Sequence, residues 1–310
     1  MTYGAYRSAF MIALLALAAV ACRPGAETPE MDAEAAAASP PVVDVRTTDY
    51  AFHAPSELRS GWTTFRMTNE GAEPHFLVLW LLPEDKTFDT YITEVANPFT
   101  ELFASYKAGE LGRDEMLEDL GGVLPEWLDL RGMGRGGPGF ISPGRTAETT
   151  IELAPGNYVM ECYMVNAEGQ VHNQLGMLRP LIVTAESTGA APPEADVELA
   201  LSNEGITVTG ELGPGRHTVR VTVTEAPEGL LGHDVHLARL DEATPIERVA
   251  AWMDWVDGLT PPPPAEFLGG AEQVPPGHVS FVTVDLEPGR YLWISEGYAQ
   301  AGLLEEFRVE

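Results

Sequence analysis

A pattern of strands and turns occurs twice in this chain, at a constant offset of 133 residues. In the first copy an alternating run over residues 146–153 leads into the turn at 154–158, which reads Ala-Pro-Gly-Asn-Tyr. In the second copy the corresponding segments are 279–286 and 287–291, the latter reading Glu-Pro-Gly-Arg-Tyr. Short alternating runs predict β-strands, and Pro-Gly predicts tight turns between them. The chain is therefore predicted to be all-β, as two tandem β-sandwiches.

The length of 310 residues is enough for two such domains behind a leader segment. A stretch rich in Ala and Pro at 185–195 is predicted to be the linker between them, and each domain contains an insertion of helical character, at about 83–132 and 244–257. The predicted layout is a signal peptide at 1–22, a flexible tether at 23–41, a first domain at 42–184, the linker at 185–195 and a second domain at 196–310.

The N-terminus has the features of an export signal. Arg7 precedes an apolar run over residues 10–20, and small residues lead to Cys22. The run is shorter than the roughly 20 residues that a membrane span needs. Small residues followed by cysteine resemble a bacterial lipoprotein processing site, so Cys22 is predicted to carry lipid. The protein would then be anchored to a membrane of the cell envelope, facing the periplasm or the outside. An ordinary cleaved signal peptide is the alternative.

The chain is strongly acidic, with 47 acidic against 18 basic residues and a formal charge of −29. Nucleic acids and anionic lipids require basic surfaces, so the charge argues against both as direct partners. It favours a basic soluble protein as a partner, and the alternative explanation is that an acidic surface is a general habit of the source organism. Contact with a membrane is expected only through the N-terminal lipid.

Three soft metal ligands lie close together in the first copy. Cys162 is followed by His172 after nine residues and by Met177 after four more. A thiolate, an imidazole and a thioether together select copper over zinc, calcium or magnesium. His75 is the candidate for a second imidazole. Because the chain has two cysteines and Cys22 is assigned to the leader, Cys162 has no predicted disulfide partner. A buried core thiol without metal is the alternative interpretation of this residue.

The second copy lacks this ligand set. Cys162 aligns with Ser295 and Met177 with Leu303, whereas His172 has no counterpart in the shorter loop. His233 alone remains, in the place of His75. The second domain is therefore predicted to be degenerate and to bind no metal with those positions.

A strand histidine, Pro-Gly-x-Tyr, a strand cysteine and then a downstream histidine and Gly-Met resemble the cupredoxin superfamily, in particular its bacterial and archaeal members with long ligand loops. The resemblance covers about 43–184 and, more weakly, 195–310. It implies Greek-key β-sandwiches and one blue-copper-type site with His75, His172 and Cys162 as ligands and Met177 as the axial ligand. It also implies electron transfer or copper handling, with a redox partner protein.

Oxidase or nitrite reductase chemistry is not expected. Those two-domain copper enzymes need His-x-His pairs, or a histidine beside the copper cysteine, for a second copper centre. Cys162 is flanked by Glu161 and Tyr163, and the seven histidines form no His-x-His pair. The alternative function is a metal-free tandem β-sandwich that serves as a binding or structural module of the cell envelope. The copper-binding function requires the side chains of His75, Cys162 and His172 to converge, whereas the metal-free alternative predicts that they diverge.

Overall fold

Most of the regular secondary structure in the computed structural model, which describes residues 38–310, is β-strand. The predicted all-β sandwich class, with helical insertions, is confirmed. The predicted signal peptide, the lipidation of Cys22 and nearly all of the predicted tether lie outside the described residues. Within residues 38–310, no helix is both long enough and apolar enough to cross a membrane.

The strands divide between the two halves of the sequence. The first half contains β1 (Val42–Thr48), β2 (Ala51–His53), β3 (Glu57–Asn69), β4 (Val78–Leu81), β5 (Thr146–Leu153), β6 (Gly156–Glu161) and β7 (Leu178–Ser187). The second half contains β8 (Val197–Ser202), β9 (Gly205–Thr209), β10 (Gly215–Val223), β11 (His233–Leu240), β12 (Glu266–Val274), β13 (Val279–Leu286), β14 (Gly289–Ile294) and β15 (Leu304–Val309). The pair β13 and β14 follows the pair β5 and β6 at the 133-residue offset seen in the sequence.

The helices lie mainly in the two insertions. The first insertion contains α1 (Phe88–Tyr91), a π-helical turn (Ile92–Ala96), α2 (Asn97–Lys107), α3 (Arg113–Val123) and α4 (Leu130–Met133). Later in the chain come α5 (His172–Leu175), α6 (Ile246–Trp252) and a 3-10 turn (Ala299–Ala301). A capping box between Thr87 and Thr90 begins α1.

The larger layer of the sandwich contains strands of both halves, and isolated bridges join the smaller layer to the first half. The larger sheet has eleven strands, and β5 pairs antiparallel with β13 at its centre. The smaller sheet has the order β12-β11-β14-β15. Residues 134–141 lie between this smaller sheet and the segment that leads from His75 into β4. Ile141 shows this position, because it bridges both His75 and Leu268. The described residues form one compact unit as a result.

Strand β6, which leads to Cys162, is buried on both faces. The sequence predicts that Tyr158, Met160 and Cys162 point inward, and they are indeed buried. The residues between them, Val159 and Glu161, are buried as well. The helical insertion covers this second face, since Tyr91 at the end of α1 donates a hydrogen bond to Glu161. Because the helical insertion covers the second face, the residues of β6 do not alternate between buried and exposed positions.

Candidate metal centre

The structure brings three of the predicted ligands together. His75 precedes β4, Cys162 follows β6, and His172 is the first residue of α5. One possible ligand atom from each lies within 4.8 Å of the others, and all three residues are fully buried. The strand ends and the first turn of a helix therefore deliver a thiol and two imidazoles to one point.

The distances within this cluster suit a single ion. The two Nδ1 atoms of His75 and His172 are 3.2 Å apart, and Nδ1 of His172 is 3.7 Å from Sγ of Cys162. Ligand atoms that are each about 2.0–2.3 Å from one ion can be at most about 4.6 Å apart. Both measured distances fall within that range.

Met177, the fourth predicted ligand, is fully buried beside the other three. Its backbone N–H donates to the carbonyl oxygen of His172 at 3.0 Å, and its carbonyl oxygen accepts from the backbone N–H of Cys162 at 3.1 Å. These two bonds close the loop of residues 162–177 on itself. Through these backbone hydrogen bonds, the loop holds Met177 next to both Cys162 and His172.

Each histidine ring is oriented by a carboxylate on its far side. Nε2 of His75 is 2.8 Å from Oδ1 of Asp49, and Nε2 of His172 is 2.9 Å from Oε2 of Glu73. In a neutral imidazole the nitrogen that faces a carboxylate carries the proton, so the Nδ1 atoms carry lone pairs. A Cβ atom on Gly71 would lie 2.3 Å from Oδ1 of Asp49, so this close approach requires glycine.

Burial keeps both rings neutral. Burial and, to a smaller extent, the neighbouring His75 lower the pKa of His172 to about 3, although the charge of Asp49 opposes the shift. Burial also lowers the pKa of His75, although the hydrogen bond and charge of Asp49 oppose the shift. Neutral rings with free Nδ1 lone pairs are the form in which histidine binds metal.

The thiol of Cys162 is in an environment that disfavours a free thiolate. Burial raises its pKa strongly, whereas hydrogen bonds from the backbone of Phe76 and Met164 lower it. The two backbone groups are thus placed to stabilise charge on the sulfur, but they do not offset the loss of water. A bound cation would supply the missing stabilisation.

Tyr50 covers the outer side of the site. Its ring centroid is 4.7 Å from that of His172, and its hydroxyl donates to Oε2 of Glu73 at 3.1 Å. Burial and the charge of Glu73 raise the pKa of Tyr50, while its hydrogen bond with Asn166 acts in the opposite direction. The hydroxyl therefore stays protonated and can donate. Together Tyr50, Asp49 and Glu73 separate both rings from solvent.

The corresponding loop of the second half repeats the backbone pattern with other side chains. The N–H of Ser295 donates to the carbonyl of Leu303 at 3.0 Å, as that of Cys162 does to Met177. The N–H of Leu303 donates to the carbonyl of Tyr298 at 3.2 Å. Tyr298 therefore takes the backbone position of His172, to which the sequence assigned no counterpart because the loop is shorter.

Two residues of the site were missed by sequence reasoning. Glu73 lies two positions before His75, and that spacing could have suggested a supporting role. Asp49 lies at the end of β1, and the sequence contains no signal that links it to His75. Contacts of this kind depend on how distant strands end beside one another.

No known protein-family profile matches the chain, and no curated protein matches it either. Among solved structures, it is similar to reduced auracyanin from Roseiflexus castenholzii, with 20% identity over 47% of this chain and 98% of that one, at a TM-score of 0.28. Auracyanin A, a "blue" copper protein from Chloroflexus aurantiacus, matches with 20% identity over 46% and 99%, at a TM-score of 0.29. A multicopper oxidase matches with 14% identity over 87% of this chain and 88% of that one, at a TM-score of 0.24. Likenesses at these TM-scores establish neither an activity nor a ligand for this chain.

Proposed function

We propose that this chain is a copper protein of the cupredoxin type that serves in electron transfer or copper handling. One copper ion would be bound by Nδ1 of His75, Nδ1 of His172 and Sγ of Cys162, with Met177 as the fourth ligand. The observation that carries this proposal is the pair of Nδ1 atoms that face each other at 3.2 Å in a fully buried cluster.

The facing nitrogens favour a bound cation on electrostatic grounds. Both Nε2 atoms are used by Asp49 and Glu73, so each Nδ1 presents a lone pair to the other. Two lone pairs at that distance repel each other unless a positive charge lies between them. The thiol of Cys162 completes the ligand set. A sulfur and two imidazole nitrogens are too soft for ions that prefer oxygen ligands, and copper is the best match.

Copper in such a site would supply one-electron redox chemistry. The protein side chains would set its conditions. Asp49 and Glu73 fix the ring orientations, and supporting contacts of this kind strengthen histidine ligands. The backbone groups of Phe76 and Met164 stabilise charge on the sulfur. Complete burial of the three ligands excludes water from the metal.

The surface nearest the site is acidic. The side chains of Asp49 and Glu73 are 25% and 16% exposed, whereas the rings behind them are fully buried. An electron partner that approaches the rings would meet these carboxylates first. A redox partner with a basic docking surface would therefore fit this protein, in keeping with its charge of −29.

We also propose that residues 42–184 and 196–310 are copies of one domain, and that the second is degenerate at the positions of the copper ligands. The matching backbone bonds of Cys162 and Ser295 support this relation. Export, with a lipid on Cys22 and a location in the cell envelope, rests on the pattern of residues 1–22. No catalytic activity is proposed.

The test is a titration of the full-length protein with Cu(II), followed by visible absorption. One equivalent should produce an intense thiolate-to-copper band, because Cys162 would bind the ion directly. Cys162→Ser should abolish the band. Cys22→Ser is the matched control, since it removes the only other cysteine and should leave the band intact.

The opposite result would support the metal-free alternative. In that case Cu(II) would produce no band, and Cys162 would react with thiol reagents only after unfolding. The protein would then be a β-sandwich with a core thiol, and its function would lie in binding or in envelope structure.

A further inference from the structure

A second group of ionisable side chains lies buried in the second half, apart from the copper ligands. Asp234 and His236 are on β11, Glu272 is on β12, and Glu296 follows β14. All four are fully buried, and one possible ligand atom from each lies within 4.8 Å of the others. We call these four residues the acidic cluster.

Elsewhere in the molecule a buried carboxylate is fully paired. Glu161, which is nearly inaccessible, accepts hydrogen bonds from Trp80, Tyr91 and Asn173 at 2.7–2.8 Å. These donors supply what water would otherwise provide. Buried polar groups are normally satisfied in this way, because an unpaired one costs about 1–3 kcal/mol or more when charged.

Two carboxyl groups of the acidic cluster lack such partners. Neither oxygen of Glu272 has a hydrogen-bond partner within residues 38–310, and Oε1 of Glu296 also has none there. Oε2 of Glu296 accepts from the hydroxyl of Tyr163 at 3.3 Å. Asp234 is better placed, because it accepts hydrogen bonds from a side-chain hydroxyl, a backbone N–H and a side-chain amide: Ser295 Oγ, Glu296 N and Gln273 Nε2.

His236 does not provide the missing positive charge. The backbone N–H of Phe140 donates to its Nδ1 at 3.1 Å, and the Phe140 ring stacks on the imidazole at 4.1 Å. Nδ1 of His236 therefore acts as an acceptor, which leaves Nε2 to carry the proton of the ring. Nε2 lies 3.2 Å from Oδ1 of Asp234 but makes no well-aligned hydrogen bond within residues 38–310. Nδ1 also lies 3.8 Å from Oε1 of Glu272, which is too far for a hydrogen bond. The cluster thus contains three carboxyl groups around one imidazole ring.

We propose that the acidic cluster is a binding site for a divalent cation that prefers oxygen ligands, of the calcium, magnesium or manganese class. Glu272, Glu296 and Oδ1 of Asp234 would be the ligands, and His236 would orient Asp234. Carboxylate oxygens are the ligands that these ions select, whereas copper would prefer the thiol and free imidazole nitrogens of the first half. Burial and the nearby Asp234 raise the pKa of both Glu272 and Glu296, which agrees with the lack of partners.

The site lies where the two halves meet. The N–H of Glu272 donates to the carbonyl of Gly137 at 3.0 Å, and the N–H of Gly139 donates to the carbonyl of Gly270 at 3.2 Å. A Cβ atom on Gly139 would lie 2.6 Å from Nδ1 of His236, so the two segments can approach this closely only with glycine there. A cation bound to Glu272 would therefore stabilise the junction between the halves, and folding would trap it because every ligand is buried.

The experiment uses Mn²⁺ as the probe and the full-length chain. The protein is unfolded with a chelator, refolded with or without Mn²⁺, passed through gel filtration to remove ions from its acidic surface, and analysed for metal content and by electron paramagnetic resonance. We expect one Mn²⁺ per chain and a higher unfolding midpoint in its presence. Excess Ca²⁺ or Mg²⁺ added during refolding should compete, and the more effective of the two identifies the preferred class.

Variants locate the ion. Glu272→Gln and Glu296→Gln each preserve shape and should reduce Mn²⁺ retention at least 10-fold, whereas Glu161→Gln should retain it. Cys162→Ser should also retain it, which separates this site from the copper site. Unchanged retention in the double variant of Glu272 and Glu296 would overturn the proposal. So would a natively folded wild type without Mn²⁺ whose infrared spectrum shows protonated carboxyl groups that disappear in the double variant, since protons would then neutralise the cluster.

Discussion

The two halves of the molecule bury ionisable side chains in opposite ways. In the first half, His75 and His172 each have a carboxylate behind the ring, and Glu161 has three donors. In the second half, Glu272 is also buried but has no hydrogen-bond partner among the described residues, and its Oε1 lies 3.8 Å from Nδ1 of His236. The first half thus buries two imidazoles and a thiol together, whereas the second half buries carboxyl groups that lack hydrogen-bond donors. The fold provides the position, and the side chains decide which ion suits it.

Loss of a satisfied carboxylate should have the largest effect. Glu161→Ala would leave Trp80, Tyr91 and Asn173 without their common acceptor. At about 1–3 kcal/mol for each of the three buried groups, we expect a loss of roughly 3–9 kcal/mol in the free energy of unfolding. Denaturant titration measures it. Glu152→Ala, at an exposed position on β5, should change stability by less than about 0.5 kcal/mol. Similar losses in both variants would show that the pairing of Glu161 is not what matters.

Acid should weaken the metal-free protein through the first-half histidines. The pKa of His172 is lowered from 6.5 to about 3 in the folded state. The unfolded chain therefore takes up the proton first, and stability is lost as the pH falls from 6.5 toward 3. Between pH 7 and pH 4 the wild type should lose on the order of 3 kcal/mol more than His172→Gln. Unfolding curves at several pH values give this difference, and parallel pH profiles for the two proteins would contradict it.

The carboxylates behind the rings should matter for copper affinity more than for folding. Asp49→Asn and Glu73→Gln preserve size but weaken the orientation of His75 and His172. We expect copper affinity to fall by about 10–100-fold in each variant, as is usual for supporting contacts to metal-bound histidines. Competition with a copper chelator measures the change. Glu70→Gln is the control, because Glu70 contacts the exposed Arg46 and neither ring.

An equal loss of affinity in Glu70→Gln would show that general surface charge, and not ring orientation, controls the binding of copper.

Neutralisation of an unpaired carboxylate should have the smallest effect and the opposite sign. Burial raises the pKa of Glu272, so its contribution to stability is present below pH 4.5 and is lost as the pH rises through the folded-state pKa. In a chelator at pH 7, Glu272→Gln should therefore be more stable than the wild type. At pH 4 the two should be equal. With Mn²⁺ present during refolding the order should reverse, and an unchanged order would argue against a cation at the acidic cluster.

Sequence reasoning was sufficient where the signal was local. Alternating runs and Pro-Gly turns placed β5, β6, β13 and β14, and the all-β class followed from them. The spacing of Cys162, His172 and Met177 selected residues that the structure brings together or places side by side, and His75 was found because it shares their chemistry.

Sequence reasoning failed where burial depends on distant elements. No strand was predicted over Glu266–Val274, where the structure has β12 with Glu272 in it. Its neighbours in space come from β11 and from the loop after β14. Which side of each strand is covered, and by what, could not be inferred without the sheet order.

The central claim is that each half selects a different kind of ion. The most direct test is anomalous diffraction from crystals of protein refolded with equimolar Cu(II) and Mn(II), collected at the absorption edges of both metals. The account predicts a copper peak between His75, Cys162 and His172, and a manganese peak between Glu272, Glu296 and Asp234. Copper in the acidic cluster, manganese beside Cys162, or an absence of both peaks from a well-ordered crystal would contradict it.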